Sequence, residues 1–173
     1  MRRRFTDGRE EGVICYLSIG SNQDDPLRQC RSALESLSET PGLVPVRRSS
    51  LYRTEPVGMI RQPWFINAVA EIRALLEPRR LLQALQERER DMGRTRTGDG
   101  GPRIIDLDIL FYGQAVIDED DLVIPHRELH RRRFVLEPLA EIASWVIHPR
   151  FGISVRGLLD RLEDAATVVK LEG

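Results

Sequence analysis

Apolar positions recur along this chain in two rhythms, and each switch between them marks an element. Short apolar runs rich in β-branched residues predict strands over 13–19, 44–52 and 65–75. Between the first two, Leu27, Cys30, Ala33, Leu34 and Leu37 fall at helical spacing. Asp25-Pro26 precedes them as an N-cap followed by proline at the first helical position. Pro78 opens a second helix, with Leu81, Leu82, Leu85 and Met92 facing inward and Gln86, Glu89 and Arg90 towards its end. A further strand runs through Asp106-Leu107-Asp108-Ile109-Leu110-Phe111. Beyond it the pattern predicts a short helix over 134–142, a small hairpin over 145–155 and a terminal helix over 155–162. Breaks fall at Gly20-Ser21-Asn22, over 54–63 and at Pro125-His126.

The order β-α-β-β-α-β up to residue 111 is the split βαβ, ferredoxin-like pattern. It predicts an α+β sandwich: an antiparallel sheet with helices packed on it, extended by C-terminal additions. Residues 13–173 are expected as a single domain and 1–12 as a disordered extension. This pattern hosts many functions and selects none.

Within the last strand the pattern carries an anomaly. Positions i and i+2 of a strand point the same way, so Asp106 and Asp108 share a face while Ile105, Leu107, Ile109 and Phe111 line the other. Two like charges on a half-buried strand repel each other and are costly to desolvate, and a bound cation relieves both. Mg²⁺ takes one or two protein carboxylates and completes its shell with water and phosphate oxygens. Upstream, Gly93-Arg94-Thr95-Arg96-Thr97-Gly98-Asp99-Gly100-Gly101-Pro102 reads as a mobile loop carrying cations. Guanidinium groups suit phosphate oxygens, and a closing loop can stabilise charge on a transferring group while excluding water.

Composition narrows the partners. At 41% hydrophobic and 31% charged the chain is ordinary for a globular protein, and a net charge of −1 gives no field to attract nucleic acid or anionic membrane. Lys170 is the one lysine among 26 basic residues, so a single arginine carries little information here. Cys15 and Cys30 lack metal-site spacing and read as buried thiols in a reducing compartment. With no secretory pattern behind Arg2-Arg3-Arg4 and no apolar run near the roughly 20 residues that span a bilayer, the cytoplasm is the expected location. His126 and the run Arg131-Arg132-Arg133 are weak signals alone, as are Phe65 and Asn67, which could offer an aromatic face and an amide to a flat heterocycle.

Taken together these segments resemble the 6-hydroxymethyl-7,8-dihydropterin pyrophosphokinase family of folate biosynthesis. The likeness runs over about 13–150, from Tyr16-Leu17-Ser18-Ile19-Gly20-Ser21-Asn22 through Ser50-Leu51-Tyr52-Arg53-Thr54-Glu55-Pro56 and Gln62-Pro63-Trp64-Phe65-Ile66-Asn67-Ala68. It continues through Gly101-Pro102-Arg103-Ile104-Ile105-Asp106-Leu107-Asp108 to Val123-Ile124-Pro125-His126. The resemblance implies transfer of the β,γ-pyrophosphoryl group of Mg-ATP to the pterin hydroxymethyl oxygen, releasing AMP. It implies Asp106 and Asp108 as ligands of two Mg²⁺ ions and Arg94 and Arg96 as catalytic loop arginines. Gln86, Glu89, Arg96, Arg103, His126 and Arg132 match ATP-binding positions. Thr54, Val57, Phe65, Asn67, Asp106 and Phe134 match the pterin site.

Three positions depart from the family pattern. Gly100 stands where many members carry tryptophan, in a loop one residue shorter; Glu55 replaces an often apolar residue; Asp121 stands where some members place a base. With about 20 residues beyond the likeness, no fused pathway enzyme is expected, and the resemblance implies a monomer acting on small molecules, with no nucleic-acid or membrane partner. Two other readings are a non-catalytic ferredoxin-like nucleotide-binding module and a metal-dependent phosphohydrolase using the same aspartates. The absence of a P-loop lysine motif disfavours a Walker-type kinase.

Overall fold

A computed structural model describes residues 11–58, 61–95 and 101–172. The expectations for the first ten residues, for Arg96 and for Gly100 therefore lie outside the described residues.

Strand β1 (Val13–Ser21) lies at the centre of an antiparallel sheet, between β4 (Phe65–Ala74) and β5 (Asp106–Tyr112). On its far side β4 pairs with β2 (Leu43–Arg48) and with β3 (Tyr52–Thr54). The single strand expected over 44–52 is thus two. At the break, Ser49 donates its N–H to the Val69 carbonyl and accepts the Val69 N–H on its hydroxyl, at 2.8 and 2.9 Å. A side chain replaces the ladder there and lets the second piece turn.

Helix α1 (Pro26–Ser38) begins as its sequence predicts. Asp25 accepts the Arg28 N–H at 3.2 Å, satisfying one of the orphan donors of the first turn. Its Cys30, Ala33, Leu34 and Leu37 are buried, and so are Leu81 and Leu85 of α2 (Pro78–Asp91). Both helices cover one face of the sheet, packing on Cys15, Leu17 and Ile19 of β1 and Leu107 and Ile109 of β5.

The C-terminal additions cover the other face. Helices α3 (Arg133–Ala143) and α4 (Val155–Asp160) pack on Tyr16, Val69, Leu110 and Phe111, making a second core. Here the simple alternation fails. Tyr16 pairs with Phe111 but Leu17 pairs with Ile109, so Leu110 is an extra residue in a bulge. Phe111 is thereby turned onto the face of α3, opposite Leu107 and Ile109 and not beside them as the period of two predicts.

Three further differences concern the chain's second half. A short hairpin of β6 (Ile117–Glu119) and β7 (Leu122–Ile124) follows β5. The hairpin expected over 145–155 reduces to one bridge between Ile147 and Ser154. A last strand, β8 (Val168–Lys170), adds to β3, with Glu55 and Thr167 exchanging hydrogen bonds at its start. That exchange gives the unusual Glu55 a structural task. The Asp121 carboxylate is bound by Arg79 of α2 at 2.9 Å. Among the described residues no helix is long and apolar enough to cross a membrane.

Candidate active site

The C-terminal end of β1, the start of β4 and the start of β5 come together at one end of the sheet, and a cavity opens there. Asp106 lies opposite Gly20, and Asp108 opposite Ser18. Both aspartates line the cavity, as the strand period predicts. On the other flank of β1, Gly20 pairs with Asn67. A Cβ on Gly20 would stand 2.6 Å from the Asn67 side-chain oxygen, so only glycine lets the amide lie across the strand. Asn67 is buried and donates to the Thr54 hydroxyl at 2.6 Å. Phe65, Phe134 and Val57 complete this apolar end.

The other end is a charge cluster. Arg94 donates to Asp106 at 2.7 Å and also pairs with Glu89; Arg103 pairs with the second oxygen of Asp106. Asp106 is thus gripped on both oxygens by guanidinium groups. Glu89 occupies the buried stripe of α2 next after Leu81 and Leu85, where the helical pattern calls for an apolar side chain. It accepts the Leu107 N–H at 2.7 Å, between the two aspartates. Burial raises its proton affinity, while the Leu107 N–H and Arg94 oppose the rise.

Asp108 has no such grip. Its closest basic atom among the described residues is His126 Nε2, at 3.8 Å, beyond hydrogen-bonding distance. The side chain keeps 40% of its surface open towards the cavity. Loss of bulk water around it, together with the charges of Asp106 and Glu89, pushes it up to about 7 against the pull of Arg103 and Arg132. His126 is lowered by burial and by the Arg132 charge. Its Nδ1 accepts the Glu128 N–H at 3.2 Å, which puts the proton of the neutral ring on Nε2, towards the cavity. Arg132 also lines the cavity, its guanidinium 5.7 Å from the centre of the Phe134 ring.

The structure therefore brings Thr54, Val57, Phe65, Asn67, Arg103, Asp106, Asp108, His126, Arg132 and Phe134 to one cavity. Gln86, Glu89 and Arg94 do not line it; Glu89 and Arg94 stand behind Asp106. Gly20, Asn22 and Gln62 belong to the site or its wall, although sequence pattern alone does not single them out. Gly20-Ser21-Asn22 reads as a break, yet β1 runs on to Ser21. The usable signal is a glycine following an apolar strand, which marks close backbone approach as well as chain ending.

Carboxylates and guanidinium groups beside a slot walled by aromatic and amide side chains suit the phosphoryl-transfer class of enzyme. The family described as 7,8-dihydro-6-hydroxymethylpterin-pyrophosphokinase (HPPK) matches residues 16–144. The 2-amino-4-hydroxy-6-hydroxymethyldihydropteridine pyrophosphokinase of Haemophilus influenzae is 42% identical over 82% of this chain and 88% of its own length. The protein of the same description from Methylorubrum extorquens is 43% identical, over 86% and 92% respectively. Other relatives are longer, and the chain spans 20% of their length. The solved Plasmodium falciparum HPPK-DHPS shares the fold, with a TM-score of 0.70 at 16% identity, over 87% of this chain and 44% of that one. The chain belongs to the 7,8-dihydro-6-hydroxymethylpterin-pyrophosphokinase family, the pyrophosphokinases of folate biosynthesis.

Proposed function

We propose that the chain carries the β,γ-pyrophosphoryl group of ATP to the hydroxymethyl oxygen of 6-hydroxymethyl-7,8-dihydropterin across this cavity, releasing AMP. The observation that supports it is a single cavity with an aromatic and amide slot at one end and two cavity-facing aspartates at the other. The split βαβ order of the strands fits a ferredoxin-like sandwich over 13–173. The free, buried cysteines fit a reducing compartment such as the cytoplasm, and a monomer is the proposed form.

Asp106 and Asp108 are the proposed holders of two Mg²⁺ ions, and the site fits them. Among the described residues no group of three or more His, Cys, Asp or Glu is placed to hold a metal unaided. Two carboxylates that need substrate oxygens to complete the shell match magnesium's habit. Asp108, raised by its neighbours and without a guanidinium in contact, is where added positive charge is most favourable. Magnesium held by Asp106 and Asp108 would supply positive charge to offset that of the phosphates.

The protein's own groups do the rest. Phe65 and Phe134 take the faces of the pterin, and Asn67 and Thr54 read its polar edge. Their grip fixes the hydroxymethyl oxygen near the aspartates, supplying proximity. Arg103 and Arg132 bind phosphate oxygens, and His126 donates from Nε2. Arg96 meets the charge that develops on the transferring group, Gln86 contacts the nucleotide beyond the cavity, and Arg94 and Glu89, behind Asp106, hold that carboxylate in place for the nucleotide side.

Incubation with Mg-ATP and the pterin, with nucleotides separated by chromatography, tests the reading. AMP forming only when pterin is present supports the transferase. ADP or phosphate released without pterin points to a phosphohydrolase, and no turnover to a binding module. EDTA is expected to stop AMP formation and excess Mg²⁺ to restore it.

A further inference from the structure

Two walls of the aromatic slot stand on different elements: Thr54 ends β3, and Phe134 lies in the first turn of α3. Helix α3 starts without a cap of its own. The side chain of its N-cap residue, Arg132, makes no capping bond, and the first turn carries no acidic residue. The cap arrives from 31 residues further along the chain. Asp164 accepts the Arg133 N–H on Oδ2 at 2.9 Å, and its carbonyl accepts from Arg133 Nε at 2.8 Å. Its Oδ1 accepts the Ala166 N–H at 2.8 Å, turning the chain towards β8. Beyond that turn Thr167 exchanges hydrogen bonds with Glu55, and Val168 pairs with Thr54. The stretch 164–168 is therefore a strap from the Phe134 wall to the Thr54 wall.

We infer that Asp164 is a positioning residue that holds Phe134 at the spacing from Thr54 that a flat pterin ring requires. The first N–H groups of a helix have no partner within it, and a carboxylate is favoured there by hydrogen bonding and by the helix dipole. The strap thus sets where α3 begins, and with it the Phe134 ring. The phosphate end does not depend on this tie. Asp106 and Asp108 take their places from β5, and the Arg132 carbonyl is held by the Val135 and Leu136 N–H groups at 3.1 and 3.0 Å. The inference rests on the pyrophosphokinase reading above.

Two substitutions cut the strap from opposite sides. Asp164→Ala removes both carboxylate bonds. Arg133→Pro removes the N–H and the guanidinium that Asp164 holds, yet spares the helix start. Proline is favoured at the first helical position, and Arg132, at φ −118° and ψ 108°, has the extended backbone that a residue before proline needs. The measurements are the Kd for the pterin and the Kd for a non-hydrolysable ATP analogue with Mg²⁺, by calorimetry, together with kcat and the pterin KM. Circular dichroism checks that each protein is folded.

Asp164→Ala is expected to raise the pterin Kd about five- to tenfold, the worth of one helix cap, and to leave the analogue Kd within about twofold. The pterin KM rises with it, and kcat changes less. Arg133→Pro shows the same selective loss, and it decides the matter if Asp164→Ala does not fold. A folded variant that keeps the parent's pterin Kd overturns the inference. So does an equal weakening of both ligands, which marks a general loosening of the fold. A parent protein that makes no AMP from ATP and pterin overturns the functional reading instead.

Discussion

At the scale of the residue, the site is governed by where charge remains unbalanced. Arg94 and Arg103 both serve Asp106, and Arg94 also serves Glu89, which leaves Asp108 with an imidazole at 3.8 Å. Asp108 holds its proton up to about 7, against an ordinary 3.8. Between those values the folded protein binds more protons than the unfolded chain, so apo stability falls as pH rises through that window. Asp108→Asn is expected to flatten this slope and, at pH 8, to raise the metal-free Tm by roughly 2–4 °C, a figure kept small because the side chain is partly solvated. The same substitution is expected to cut AMP formation by roughly 10²–10³-fold. A variant within a few-fold of the parent rate would show that Asp108 holds no essential ion. Gly20→Ala tests the opposite end. Its Cβ would meet the Asn67 oxygen at 2.6 Å, so Asn67 must swing away from Thr54. We expect the pterin KM to rise about tenfold, the loss of one or two hydrogen bonds, with the ATP KM nearly unchanged.

At the scale of the element, short pieces of backbone decide what the longer ones present. The Leu110 bulge lets β5 offer Asp106 and Asp108 to the cavity and then put Phe111 under α3. Strand β3 holds Thr54 between two neighbours, β4 and β8. Removing residues 167–173 would turn β3 into an unprotected edge and release Glu55 from Thr167. The expected cost is about 1–3 kcal/mol in urea unfolding, with a rise in pterin KM larger than any fall in kcat. A truncated protein with parent-like stability and KM would show that β8 is dispensable. Helix α2 contributes a buried Glu89 where its pattern calls for an aliphatic residue. Its carboxylate organises Leu107 and Arg94, so the apolar period is interrupted for the benefit of the site.

At the scale of the whole molecule, two cores share one sheet. The second contains a titratable lock. His148 is 2% exposed, stacked on Phe151 at 4.2 Å and edge-on to Phe111 at 5.6 Å. Burial, aided by the charges of His130 and Arg150, lowers it to about 4. The folded state holds it neutral while the unfolded chain protonates near 6.5, so its contribution is complete above 6.5 and is lost as pH falls towards 4. We expect about 2 kcal/mol to disappear across that range. His148→Asn should lower stability at pH 7 and reduce the slope between pH 6.5 and 5, measured by denaturant unfolding. An unchanged slope would place the acid sensitivity elsewhere.

Local rules determined much of this protein. The cap at Asp25, the helix start at Pro78, the apolar periods of α1 and α2 and the shared face of Asp106 and Asp108 follow from nearest-neighbour stereochemistry, which needs no distant partner. The motifs around Gly20, Asn67 and Asp106 were specific enough to indicate the family. Tertiary structure alone decided the rest. Ser49 splits a strand because Val69 lies across from it, and β8 forms only because β3 offers an edge. Phe111 changes face through a bulge that depends on the register with Tyr16. Asn22 joins Gln62 and Pro63 to Arg103 across 40 and more residues of chain. Asp108 acquires its raised proton affinity from the loss of water around it and from the charges of Asp106 and Glu89, which the fold brings beside it. These outcomes depend on which groups meet in space, and sequence separation carries no direct record of that.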